Sequence, residues 1–221
     1  NPKFIGLILL KHGIFTFGNT AKESYDRMIN LVSIAENKLK KIPNKIITKR
    51  NFKMNTSVEN KSSMFLPLIR KHLSQKNKDE GYTKWILDIR TSKNIIKYLN
   101  HSQLKQFTQR GPITPDHVIR TKPKPLILDL RKKEDNEIEI NIKNKINKFK
   151  TDYKKYYLRN KKYLPNSIAL DANPRLIFIP DFGIIGIGRT SKEAKIASDL
   201  AECTVDVIAK AESFGKFQSI N

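Results

Sequence analysis

The sequence contains a single cysteine, Cys203, so no disulfide can form within the chain, and this usage fits a reducing cytoplasm. No apolar run approaches the roughly 18 residues needed to cross a bilayer. No charged-then-apolar segment that would read as a secretion signal is present either. Acidic residues are also scarce, 21 Asp and Glu against 43 Lys and Arg, which leaves a formal charge of +22. A charge of that size first suggests a nucleic-acid partner. Two features argue against it. Of the basic residues 33 are Lys and only 10 Arg, whereas base and phosphate recognition leans on the bidentate Arg fork. Lys, Ile and Asn together make up 81 of 221 residues, the bias that A+T-rich codons produce. The lysines are dispersed, and a solvated Lys-rich surface is the simpler reading.

The 38% hydrophobic content, with 9% aromatic residues, suffices for a core of ordinary size in one large domain or two small ones. The chain opens on Asn1 and enters an apolar run by Phe4, an abrupt opening that suggests a truncated first unit. Residues 4–10 are continuously apolar and suit a strand buried on both faces. Lys11, His12 and Gly13 break the run, a second strand follows over 14–17, and Thr20 with Glu23 forms a capping box. Tyr25, Met28, Ile29, Val32, Ala35 and Leu39 then fall on one face of a helix reaching about Lys40. Composition shifts to Lys, Asn, Ser and Thr over 41–63, which reads as a linker or mobile loop. Further on, the pattern predicts a helix over 65–73 and a strand over 85–89. A short helix capped by Ser92 follows, then another from Ser102, a strand over 126–130, and a long charged helix over 141–160.

The end of the chain repeats its beginning. Residues 11–23 align without gaps on 181–193, with Gly, Ile, Gly, Thr, Lys and Glu identical at six of thirteen positions. Each copy follows an apolar strand and precedes an amphipathic helix with an Ala-Glu pair, Ala35-Glu36 or Ala211-Glu212. His12 in the first copy corresponds to Phe182 in the second.

Four histidines are present, His12, His72, His101 and His117, and no spacing among them specifies a metal site by itself. His12 lies in a tight turn beside Gly13, where a histidine can serve as a metal or substrate ligand, or as a satisfied polar group at a strand end. Asp116 and His117 with Arg120 and Lys122 form the other polar cluster, readable as a phosphate or substrate contact or as a charged loop that anchors the second unit. Cys203 is placed on the apolar face of a helix as a small core residue.

The stretch 9–18, followed by Thr20-Ala21-Lys22-Glu23-Ser24-Tyr25 and ending at Ala35-Glu36, resembles the closing motif of the class II aldolase and adducin family. The stretch 111–122, then Asn173-Pro174-Arg175 and 183–189, resembles its bifunctional subgroup, in which a rhamnulose-1-phosphate aldolase is joined to a short-chain alcohol dehydrogenase. Only residues 41–63 stay unmatched. The resemblance implies an α/β fold with class II aldolase-like α/β/α sheet layers, an incomplete first copy of the unit and a degenerate second copy. It divides the chain into the C-terminal part of a first unit (1–40), the linker (41–63) and a second unit (64–221). It also implies that His12 is one of three histidines holding a zinc ion.

The remaining ligands, the acid/base glutamate and the phosphate loop of that family lie upstream of the matched motif. The NAD(P) loop of the dehydrogenase would lie beyond Asn221, and the glycines at 183, 186 and 188 fit a hairpin better than a cofactor loop. The implied activity is that of a fragment, itself without catalytic residues, of a zinc-dependent lyase. That enzyme would cleave a ketose 1-phosphate to dihydroxyacetone phosphate and an aldehyde. Its partner is a sugar phosphate in the cytoplasm, with no membrane and with a homo-oligomer left open. His117, Arg120 and Lys122 are the candidate substrate contacts. A non-catalytic adducin-like binding module and a basic nucleic-acid-binding protein are the alternatives.

Overall fold

The computed structural model describes residues 4–10, 13–46, 56–77 and 81–219. Strands β1 (Gly6–Leu9) and β2 (Gly13–Thr16) pair antiparallel and lead into helix α1 (Ala21–Lys40). Short α2 (Ser57–Asn60) and α3 (Ser62–Leu73) follow, then a two-residue ladder of β3 (Lys76–Asn77) with β4 (Gly81–Tyr82). The chain continues through β5 (Ile86–Arg90), α4 (Lys93–Leu99), α5 (Leu104–Thr108), α6 (Pro115–Thr121) and β6 (Leu126–Ile127). It ends with the long α7 (Asp135–Lys161), β7 (Leu176–Ile179), β8 (Gly183–Gly188) and α8 (Ser191–Phe214). No helix among the described residues is long and apolar enough to cross a membrane.

The main sheet runs in the order β5-β8-β7-β6, antiparallel except for the β6–β7 pair. Side chains alternate across a strand, and β7 sorts its four apolar residues accordingly. Leu176 and Phe178 join a core with α4, α5 and α8, whereas Ile177 and Ile179 join a core with α3 and α7. Both faces are covered, so every residue of β7 and β8 is buried. The result is a three-layer α/β/α arrangement. Helix α8 seats closely because β8 offers it backbone: a Cβ on Gly186 would lie 2.4 Å from the Ala194 carbonyl oxygen.

The two hairpin–helix units share their local geometry. Leu7 faces Phe15 and Ile8 faces Ile14 in the first, as Ile177 faces Ile185 and Phe178 faces Ile184 in the second. Thr20 accepts from the Glu23 amide at 3.1 Å and Thr190 from the Glu193 amide at 3.2 Å. The glutamates reach one residue further back than an ordinary capping box, accepting from the Asn19 and Arg189 amides, both at 2.7 Å. Gly13 and Gly183 have φ of 155° and 154°, values that disfavour a side chain.

Several expectations need correction. The first strand is not buried on both faces: Leu7, Ile8 and Leu9 are exposed, and α1 buries none of its residues. Among the described residues the hairpin packs chiefly against α1 and no further strand extends it. Cys203 lies on the exposed side of α8 and not in the core. The stretch 126–130 pairs as strand only at Leu126–Ile127, although Leu128 and Leu130 remain buried. Within 41–63, Ile46 and Val58 are buried in the two cores and α2 forms, while residues 47–55 lie outside the described ones.

Candidate functional site

Helix α6 and the turn after it carry three residues singled out from sequence, and the structure does not bring them to one surface. Thr114 ends the preceding extended segment and Pro115 opens the helix, where its missing N–H leaves no donor unsatisfied. His117 is buried, its Nδ1 lies 2.7 Å from Thr114 Oγ1, and Thr121 donates to its carbonyl oxygen at 2.7 Å. Arg120, one turn further along the helix, is exposed. The side chain of Asp116 lies outside the described ones.

Lys122 ends the helix in a left-handed conformation, φ 67°, and is only 2% exposed. Its ammonium donates to the Asp171 carbonyl oxygen and sits 3.7 Å from the centroid of the Tyr153 ring. Burial lowers its pKa to about 8, against the opposing pull of Asp171. His117 and Lys122 share with Tyr98, Thr108 and Thr204 a void of about 20 Å³. That space admits a single water and no sugar phosphate. The Tyr98 hydroxyl has no hydrogen-bond partner among the described residues, and burial raises its pKa.

The segment around Asn173 is likewise an anchor. Asp171 accepts from the Asn173 amide at 2.8 Å and pairs with Arg175 at 2.6 Å. Asn173 donates to the Leu73 carbonyl oxygen at 3.1 Å, and the guanidinium of Arg175 stacks 4.8 Å from the centroid of the Trp85 ring. These contacts tie the entry of β7 to the end of α3.

His12, the candidate zinc ligand, lies outside the described residues. Its counterpart Phe182 is 7% exposed and meets Phe65 edge-on at 5.0 Å. The other histidines stand apart: His72 Nε2 lies 3.1 Å from Glu139, and His101 Nδ1 accepts from the Gln103 amide at 3.1 Å. Among the described residues no group of three or more His, Cys, Asp or Glu is placed to hold a metal ion.

A further concavity lies elsewhere, a groove of about 660 Å³ between α7 and the loops before and after α6. Phe149, Tyr153 and Tyr156 line one wall, and Pro112, Pro123 and Pro125 the other. These aromatics belong to the long charged helix expected over 141–160. Their spacing puts them on one side of that helix, but the prolines opposite come from two loops distant in sequence.

Residues 60–221 match the family described as aldolase class II, second domain. The chain belongs to the class II aldolase family. It is also similar to the Bacillus subtilis (strain 168) protein named uncharacterized oxidoreductase YuxG, with 25% identity over 227 residues. That alignment covers 100% of this chain and 32% of the relative, so the chain spans about a third of the relative's length. No solved structure matches the chain. The family match extends from α2 through the α/β/α layers to the chain end, and the first hairpin and α1 precede it.

Proposed function

We propose that the chain is part of a class II aldolase that cleaves a ketose 1-phosphate with the help of zinc, within a longer protein that also carries an oxidoreductase domain using NAD(P). The family match over residues 60–221 carries this reading. The relative named as an oxidoreductase, three times longer than the alignment, supports the fusion. Rhamnulose 1-phosphate is the proposed type of substrate, with dihydroxyacetone phosphate and an aldehyde as products.

In this reading residues 1–40 close a first aldolase unit, 41–63 connect, and 64–221 form a second unit kept for structure. The shared register of the two hairpins and their matching helix caps support a duplication. The metal would belong to the first unit through His12, whereas a packed phenylalanine stands at the corresponding place in the second. The described residues do not by themselves fit a zinc site. The other ligands and the acid/base group are therefore assigned to parts of the longer protein, and no chemical step is derived from this chain.

The test uses the full-length protein, measuring bound zinc and ketose 1-phosphate cleavage in the wild type and in His12→Ala. Three ligands are the minimum for a catalytic zinc with an open position, so the variant should lose both metal and turnover while remaining folded. Retention of both would overturn the assignment and favour an adducin-like binding module.

A further inference from the structure

The groove against α7 has a chemistry that the aldolase reading does not use. Phe149, Tyr153 and Tyr156 recur at steps of four and three along α7, so their rings share one face. Pro112, Pro123 and Pro125 face them with ring-locked backbones. The opposing loops are fastened in place: Gln109 donates to the Pro125 carbonyl oxygen and Ser219 to that of Arg110, both at 3.0 Å. The site is thus formed in advance of any ligand, and its 660 Å³ suits a small organic molecule better than a bare ion.

Its rim is cationic. Lys124, Lys155 and Arg159 line it and join no salt bridge among the described residues. Arg110 is held by Glu212, and the one rim carboxylate, Asp152, is matched by Lys148 at 3.2 Å. Uncompensated positive charge above flat apolar walls selects an anion joined to a planar ring. Phosphate oxygens would take the rim cations, and a base would stack against tyrosine.

We infer that this groove binds a nucleoside monophosphate, its base between the α7 tyrosines and the proline wall and its phosphate at Lys155 and Arg159. The assignment is independent of the zinc chemistry proposed above.

Calorimetric titration of the 221-residue chain tests it, with AMP, adenosine, ribose 5-phosphate and a ten-nucleotide oligoadenylate as probes. AMP should bind one to one, and more tightly than adenosine or ribose 5-phosphate, each of which lacks one half of the recognition. Tyr156→Ala and Arg159→Gln should each weaken AMP about tenfold in protein that circular dichroism shows to be folded. The exposed Lys155→Glu serves as a second charge variant and should weaken AMP similarly. No saturable AMP binding, equal binding of ribose 5-phosphate, or indifference to all three variants would overturn the proposal. Binding of the oligoadenylate without AMP would overturn it too, and would turn the groove into a nucleic-acid surface.

Discussion

Hairpin β1–β2 with α1 and hairpin β7–β8 with α8 have the same pairing register and the same threonine caps, yet the strands of one are largely exposed and those of the other wholly buried. The difference lies in what surrounds them. Strands β5 and β6 extend the second hairpin at both edges, and α3 and α7 cover the face that α8 leaves open. A Cβ on Gly183 would lie 2.4 Å from the Arg90 carbonyl oxygen, whereas one on Gly13 would meet none of the described residues within 4 Å. The same glycine position is thus jammed against a neighbouring strand in the second hairpin and not in the first. Where Gly186 lets α8 approach, the first unit has Thr16, whose hydroxyl donates to the Ser24 carbonyl oxygen at 2.8 Å. Short-range chemistry sets register and caps, and long-range neighbours set burial.

The largest way to break this comparison is to empty the second core. Phe182→Ala removes a ring packed on Phe65 and should destabilise by about 3–5 kcal/mol, and Ile177→Ala by about 2–5 kcal/mol. Leu7→Ala, the counterpart of Ile177, is 54% exposed in the wild type and should change stability by less than about 0.5 kcal/mol. Urea unfolding of the three variants measures this, and a similar loss for Leu7→Ala would mean that the first hairpin is covered after all.

An electrostatic prediction sharpens the same contrast, since Lys122 is buried in the second region. Its pKa is lowered from 10.5 in the unfolded chain to about 8 in the fold. Between those values the unfolded state binds more protons, so stability should rise with pH across that window and the penalty should be full below it. Lys122→Met removes the titrating group. The wild type should therefore gain stability relative to this variant as pH is raised from about 8 to 10.5, which paired denaturation curves would reveal. Parallel curves would contradict the burial of the ammonium.

The smallest effects should be the most alike. Thr20→Ala and Thr190→Ala each remove the acceptor for one helix-opening amide, worth about 1 kcal/mol. Helix content should fall at the affected helix in both cases, read by residue-level chemical shifts. A cap that mattered in only one unit would break the local equivalence.

Much of this was legible from particular residues. Glu23 and Glu193 announced both caps, and the matched glycines and isoleucines announced the common register. Ser92 marked the start of α4, where it accepts from the Ile95 amide. The charged helix expected over 141–160 is α7, though it starts earlier because Glu134 and Glu137 cap it. Burial was not legible: Leu7 to Leu9 are as apolar as the residues of β7, and only the presence of neighbouring layers separates them. Cys203 misled for a related reason, since a small apolar residue near a helix stripe can fall on either side of its edge. The interior place of His117 and Lys122 was hidden because it depends on Thr114, Asp171 and Tyr153, which arrive from three separate segments. The groove against α7 was hidden in the same way.

Hydrogen exchange on the 221-residue chain tests the contrast most directly, because amide protection reports local opening segment by segment. Amides of β7 and β8 should exchange only through global unfolding, whereas those of β1 and β2, paired in the same register, should exchange far faster through local opening. Equal protection of the two hairpins would contradict the account, since it would require the first to be covered as fully as the second.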